Sequence, residues 1–293
     1  MPRDDSLEEW LKGDKRAGKI DDRFTITEAI NWTGNGDEKP FVAYINLQNS
    51  HIPYTVPTDH PRRFSKTTPP SRYSMKSMSD EEVALARDAY SDALNYVDAQ
   101  LGRLFEHLRA TGQWDRTLLI VTGDTGQAFK EHGFVGHSNL PYDEVVRVPI
   151  LLKIPGHESR TDDRLAQHID LPPTVLDALG LTPHPGFQGH SLLDETPRLR
   201  EAFITVSNPF TRAIALVQDK HKLLYDQHMR RLLLFDLDAD PRELHDMSQS
   251  AASLTEDLKR RLGSWYAAQR GYYFDDARQK HEYAPVLEPL PPN

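Results

Sequence analysis

The 293-residue chain contains no cysteine. That single absence excludes disulfides, thiolate metal sites and cysteine nucleophiles. No basic run stands out either. Acids outnumber bases by 44 to 35, for a formal net charge of -9. This argues against a nucleic-acid or anionic-membrane partner while leaving room for a local basic pocket. Long apolar stretches are also missing, and no window reaches the ~18 apolar residues of a membrane span. The opening MPRDDSLEEWLKGDKRAGKIDDRF is charged and lacks the apolar stretch of a signal peptide. Read as it stands, the chain is expected to be cytoplasmic unless a segment precedes it. What is present is ordinary for a soluble globular protein, with 38% hydrophobic and 27% charged residues. The length suits one large domain, or a core with a smaller appendage.

Patterning then suggests an order of elements. PFVAYINLQ (40–48) is a short apolar run rich in β-branched and aromatic residues, and predicts a buried strand. It runs into the Pro-punctuated loop NSHIPYTVP, and residues 55–78 read as an exposed excursion. Ser79 with Glu82 forms a capping-box signature for a helix reaching about Thr111. Leu94, Val97, Leu101, Leu104, Phe105 and Leu108 recur at helical spacing and predict its core face. Gly112 ends that helix, and TLLIVTG (117–123) is the next predicted strand. Strand, helix and strand in this order predict a βαβ unit and a parallel sheet.

RVPILLKIPG (147–156) predicts a further strand, and HIDLPPTVLDALGL (168–181) a short helix with Pro at its start and Gly at its end. Beyond it, AFITVS, RAIALVQ, HKLLYD and RLLLFDL predict an antiparallel meander, followed by a helix near 253–268. The expected organisation is an α/β domain over 1–197 and an antiparallel sheet plus helix over 198–293.

In open α/β sheets, ligands bind beyond the carboxyl ends of strands. His51 follows strand 40–48, Asp124 follows strand 117–123, and His137 lies in the next loop. An acid, two histidines and the nearby Lys130 could together bind an anionic ester and a hard cation. Plainer readings fit the same residues. Asp124 could form an Asx turn before Gly126, His51 could be a loop histidine, and Lys130 and His132 read as solvated.

The stretch NYVDAQLGRLFEHLRATGQWDRTLLIVTGDTGQAFKEHGFVGHSNLPYDEVVRVPILLKIPG resembles the sulfatase family of the alkaline phosphatase superfamily. FVAYINLQNSHIPYTVP before it, HIDLPPTVLDALGL after it and LLLFDLDADPRELHDMS near the end match in family order. The resemblance implies a mainly parallel sheet flanked by helices, incomplete at its N-terminal side, with a small C-terminal antiparallel subdomain. It makes Asp124 a carboxylate ligand of a divalent cation, usually calcium, with Thr125 in the companion position. His51 would contact the sulfate or leaving-group oxygen, and His137 falls near the basic residue that steadies the sulfate. Tyr142, Glu144, Arg147 and Pro149 match a supporting pattern and are not expected to be catalytic. The implied substrate is a small-molecule or carbohydrate sulfate ester.

Two family elements do not precede His51: the strand ending in paired aspartates, and the Cys/Ser-x-Pro-Ser-Arg motif whose first residue becomes the formylglycine nucleophile. TPPSR (68–72) has the right ending but follows the histidine block. SNPFTR (207–212) spaces its Arg one residue too far. One carboxylate and a hydroxyl fall short of the ~6–8 oxygens that usually hold calcium, and Thr125 replaces neither a charge nor an imidazole. The expectation is therefore a sulfuric ester hydrolase by descent, truncated, split or degenerate, with its nucleophile motif absent from this chain. Competing readings are a phosphoryl- or phosphoglycerol-group transferase or phosphodiesterase of the same superfamily, and a non-catalytic binding protein. A missing sheet strand would also leave an exposed apolar edge, through which the chain should self-associate.

Overall fold

The computed structural model describes residues 20–34, 39–66, 78–137, 139–196, 201–208 and 211–286. The chain divides into two compact units, Met1–Thr117 with Ala128–Val135, and Leu118–Gln127 with Gly136–Asn293. The boundary expected near residue 197 falls on residues 197–200, outside those described.

In the first unit, helix α1 (Asp22–Thr33) lies along helix α2 (Asp80–Ala110). Asp21 caps α1 by accepting the Arg23 N–H, and α2 opens on the capping box read from Ser79 and Glu82. The buried face of α2 differs from the expected one. Val83, Ala86, Ala89, Ala93, Tyr96, Leu104 and Leu108 are buried, whereas Leu94 is 43% exposed. Small alanines let a helix approach its neighbours closely, and a search for large apolar residues passes over them. Tyr54, Val56, Met78, Phe129 and Val135 complete this core. A second cluster joins Ile26, Leu104 and Leu108 to Ile45, Leu47 and Trp114.

Buried carboxylates fix the loops. Asp22 accepts the N–H groups of Gln48 and Asn49 at 2.7 and 3.0 Å. Asp92 accepts those of Arg63, Phe64 and Ser65 at 2.7–3.0 Å. After Ala128–Phe129 (β2), Lys130 takes a left-handed φ of 69° and donates its N–H to the Phe134 carbonyl; Val135–Gly136 (β3) follows.

The strand expected over 40–48 is not one. These residues carry no ladder among the described residues. The segment is nonetheless alternately placed. Ile45 and Leu47 pack on the helices, Phe41 sits edge-on to Trp32 at 5.1 Å, and Val42 and Tyr44 are 92% and 91% exposed. β-propensity describes a fit to a pleated, half-buried surface; it does not supply the partner N–H and C=O groups that make a strand.

In the second unit, β1 (Leu119–Thr122) pairs antiparallel with β4 (Ile150–Lys153), Leu119 facing Lys153 and Thr122 facing Ile150. The expected parallel βαβ unit is thus not formed among the described residues: its first strand has no ladder, and the ladder of its second is antiparallel. Between these strands lies the one-turn helix α3 (Asp143–Val146). A 3-10 turn (His168–Asp170) leads into α4 (Leu171–Ala178), and Gly180 follows at a φ of 67°.

The C-terminal meander forms as expected. Strands β5 (Glu201–Ser207), β6 (Arg212–Gln218), β7 (His221–Asp226) and β8 (Arg231–Asp236) pair antiparallel in sequence order. Leu216 faces Leu223, which faces Leu234. On that face Leu258 and Leu262 of helix α5 (Ala252–Tyr273) close the core, and Phe203 stacks on Trp265 at 4.7 Å. Arg261, itself buried, pairs with Glu201. A last helix, α6 (Asp276–His281), follows. Among the described residues, no helix is long and apolar enough to cross a membrane.

Candidate active site

The carboxyl end of β1 turns sharply. Thr122 Oγ1 lies 3.2 Å from His168 Nε2. Asp124 and Thr125 are both exposed, and Asp124 Oδ1 accepts the Thr125 N–H at 2.8 Å. That bond is the local Asx-type contact expected of an acid in a turn, and it leaves Oδ2 outside the contact. Gly126 then donates its N–H to the Val145 carbonyl of α3 at 2.7 Å. A Cβ at this position would lie 2.3 Å from the Glu144 carbonyl oxygen. Only glycine fits, so the close approach of two backbones sets the path of the loop.

His137 is half-buried, and its Nδ1 lies 3.1 Å from Gln127 Oε1. The amide oxygen can only accept, so Nδ1 carries a proton and donates it to Gln127. Gln127 had no role in the sequence reading. Neither it nor His168 carries a readable signal, because both act through neighbours distant in sequence.

His51 belongs to the first unit. Its Nδ1 lies 2.6 Å from the Ile52 carbonyl, to which it donates. The surrounding turn is held by Asn49, whose side chain donates to Thr55 and accepts the Asp22 N–H at 2.8 Å. Lys130, considered for anion binding, instead pairs with Asp80 at 2.9 Å.

Of the supporting pattern, Tyr142 packs in the core, whereas Arg147 and Pro149 are exposed. Tyr142 is buried against Phe235 at 6.1 Å between ring centres, and burial pushes its phenol pKa up. Arg147 is exposed and lies 3.6 Å from Asp143. Asp143 itself enters a buried ionic group that sequence reading missed. Lys222, fully buried, places Nζ 2.8 Å from Asp143 Oδ1 and 2.8 Å from Glu243 Oε1.

Asp124, Thr125 and His137 thus lie in the second unit and His51 in the first. Among the described residues, no group of three or more His, Asp or Glu side chains is placed to hold a metal ion. Asp124 and Thr125 offer a carboxylate and a hydroxyl, well short of the ~6–8 oxygens calcium usually takes. The described donor set is therefore not a calcium site by itself. The TPPSR stretch lies outside the described residues.

The sulfatase family profile matches residues 2–181, more than half of the chain. The chain belongs to the sulfatase family. The profile described as "N-sulphoglucosamine sulphohydrolase, C-terminal" matches residues 130–268. Among individual relatives, it is 29% identical over 217 residues to the multifunctional alkaline phosphatase superfamily protein PehA of Trinickia caryophylli, covering 64% of this chain and 42% of that one. Arylsulfatase K of Bos taurus is 25% identical, covering 80% of this chain and 53% of that one. In three dimensions it is similar to the phosphonate monoester hydrolase of Agrobacterium radiobacter, with a TM-score of 0.67 and 23% identity, over 83% of this chain and 60% of that chain. The fold is accordingly the α/β fold shared with these proteins. The chain spans about half the length of the curated relatives it matches.

Proposed function

We propose that this chain carries part of the active site of a sulfuric ester hydrolase, with Asp124 as a carboxylate ligand of a divalent cation, calcium in the family. Thr125 stands beside it as a weak companion, and the family resemblance gives His51 and His137 the role of N–H donors to the oxygens of the sulfate ester. The observation that carries this reading is the exposed Asp124 carboxylate at the carboxyl end of β1, in a turn whose path Gly126 fixes against α3. The family resemblance places its cation-binding carboxylate at this strand end. Family membership supports the reaction class and a small-molecule or carbohydrate sulfate ester as substrate, and the second matching profile, named for an N-sulfated amino sugar (a sulfamate, not an ester), supports a sulfated carbohydrate.

Hydrolysis of such an ester needs an activated nucleophile and charge to balance the transferred group. The family's formylglycine arises from cysteine or serine, and this chain has no cysteine. The proposal is therefore a partial site, without turnover by the isolated chain. The family resemblance supports a mainly parallel α/β sheet, and the exposed Val42 and Tyr44 side chains support self-association of the isolated chain.

Terbium luminescence and calcium calorimetry on the purified chain test the metal role. Binding that disappears in Asp124→Asn supports it, and equal binding by both proteins overturns it. A second reading, hydrolysis of phosphonate or phosphate esters, is favoured by the likeness to the phosphonate monoester hydrolase. Assays with aryl sulfates, aryl phosphonates and phosphate diesters on a complex that turns over would separate the two. The sparse donor set favours a third, non-catalytic binding role, which metal-independent binding of a sulfated sugar would support.

A further inference from the structure

We propose that the buried Lys222–Glu243–Asp143 group is a positioning device that holds the Asp124–Gly126 loop through α3. Its relevance to catalysis rests on the metal reading above; its effect on the loop does not.

The group begins with strand geometry. Lys222 faces Phe235 across the β7–β8 ladder, on the sheet face opposite Leu223, Leu258 and Leu262. Alternation along β7 therefore sends the Lys222 side chain away from α5, where Tyr142 packs on Phe235. A lysine with no exposed surface keeps its charge only when partners replace water. Two carboxylates do so, Asp143 and Glu243, each at 2.8 Å.

Glu243 reaches inward at some conformational cost. It adopts a left-handed φ of 53° in the turn after Asp240 and Pro241, a region that non-glycine residues seldom occupy. Asp240 stabilises that turn by accepting N–H groups from Glu243 at its carbonyl (3.0 Å) and from His245 at its carboxylate (2.7 Å). The glutamate presented this way has two tasks. One oxygen faces Lys222; the other accepts the Asp143 N–H at 2.6 Å.

That amide is the first of α3, so the glutamate fixes the start of a helix only one turn long. The other end of the turn meets the loop. Val145 accepts the Gly126 N–H at 2.7 Å, and the Glu144 carbonyl occupies the space a Gly126 side chain would need. A four-residue helix has little stability of its own, so its position is set by what grips it. The Asp-Pro-x-Glu block near the C-terminus and the Tyr-Asp-Glu block at 142–144 thus act on one object, and that object sets the backbone two residues after Asp124.

Amide hydrogen exchange on the full chain tests this without any metal. Glu243→Ala removes both contacts of the glutamate, whereas Glu243→Gln keeps an oxygen for the Asp143 N–H and loses the charge facing Lys222. Exchange at Gly126 should accelerate about ten-fold or more in Glu243→Ala, with a smaller rise in Glu243→Gln and less change at Leu223 and Leu224 of β7. Gly126 protection equal to wild type, or lost by the same factor as β7, would overturn the proposal. If Glu243→Ala does not fold, Glu243→Gln and Asp143→Asn are judged by the same comparison of Gly126 with β7. Terbium binding, measured separately, distinguishes the two ideas: a wild-type chain that binds none sinks the metal reading and leaves the exchange result standing.

Discussion

The Gly126 amide donates to the Val145 carbonyl at 2.7 Å, and the Glu144 carbonyl next to it leaves no room for a Cβ. Gly126→Ala should therefore displace backbone against backbone, which no rotamer change can relieve. The expected cost is about 1–3 kcal/mol, read as a lower urea midpoint with an unchanged m-value. A midpoint equal to wild type would mean that the loop and α3 separate at little cost.

The buried lysine offers a larger effect. Lys222→Met should destabilise by about 3–5 kcal/mol, because two carboxylates lose the cation that offsets their burial. The control is Lys259→Ala, which breaks an exposed pair with Glu256 at 2.9 Å and should cost at most about 0.5 kcal/mol. Similar losses from the two variants would contradict the burial argument.

Acid stability should carry two slopes of opposite sign. The Arg164 guanidinium beside Asp162 lowers that carboxyl from 3.8 to about 2. A depressed folded-state pKa gives stability that is present above 3.8 and lost as pH falls towards about 2. Asp162→Asn should flatten that limb of a midpoint-versus-pH curve. Burial raises the Glu243 pKa above 4.5, so its contribution is full below 4.5 and declines as pH rises. Glu243→Gln should remove this decline, and an unaltered curve in either variant would refute its assignment.

The 40–48 segment carries its own prediction. With Val42 and Tyr44 92% and 91% exposed, the wild-type chain should self-associate with concentration in light scattering. Val42→Lys with Tyr44→Lys should shift it towards monomer, since the charges replace exposed apolar surface. A wild-type chain that stays monomeric throughout would remove the basis for this expectation.

Several elements were legible in the sequence because their signals are local. The Ser79–Glu82 box, the helix at 171–178 with Gly180 beyond it, and the four-stranded meander depend on neighbours a few residues apart. The place of Asp124 at a strand end was readable for the same reason. Leu94 and the 40–48 run misled because burial and strand pairing belong to a partner surface, which periodicity does not specify. Helix α1 was hidden in a polar opening whose fixing carboxylates, Asp21 and Asp22, reach loops and helices far along the chain.

The sequence by itself determined the family, the absence of cysteine chemistry, the meander and the strand-end acid. Each follows from residue type and short-range spacing. Only the tertiary structure decided that Lys222, Glu243 and Asp143 share one buried charge group, that Gln127 sets the His137 proton, and that β1 pairs antiparallel with β4. Those relations join residues ten to a hundred positions apart. Their energies come from desolvation and close packing, quantities that exist only once the chain has folded.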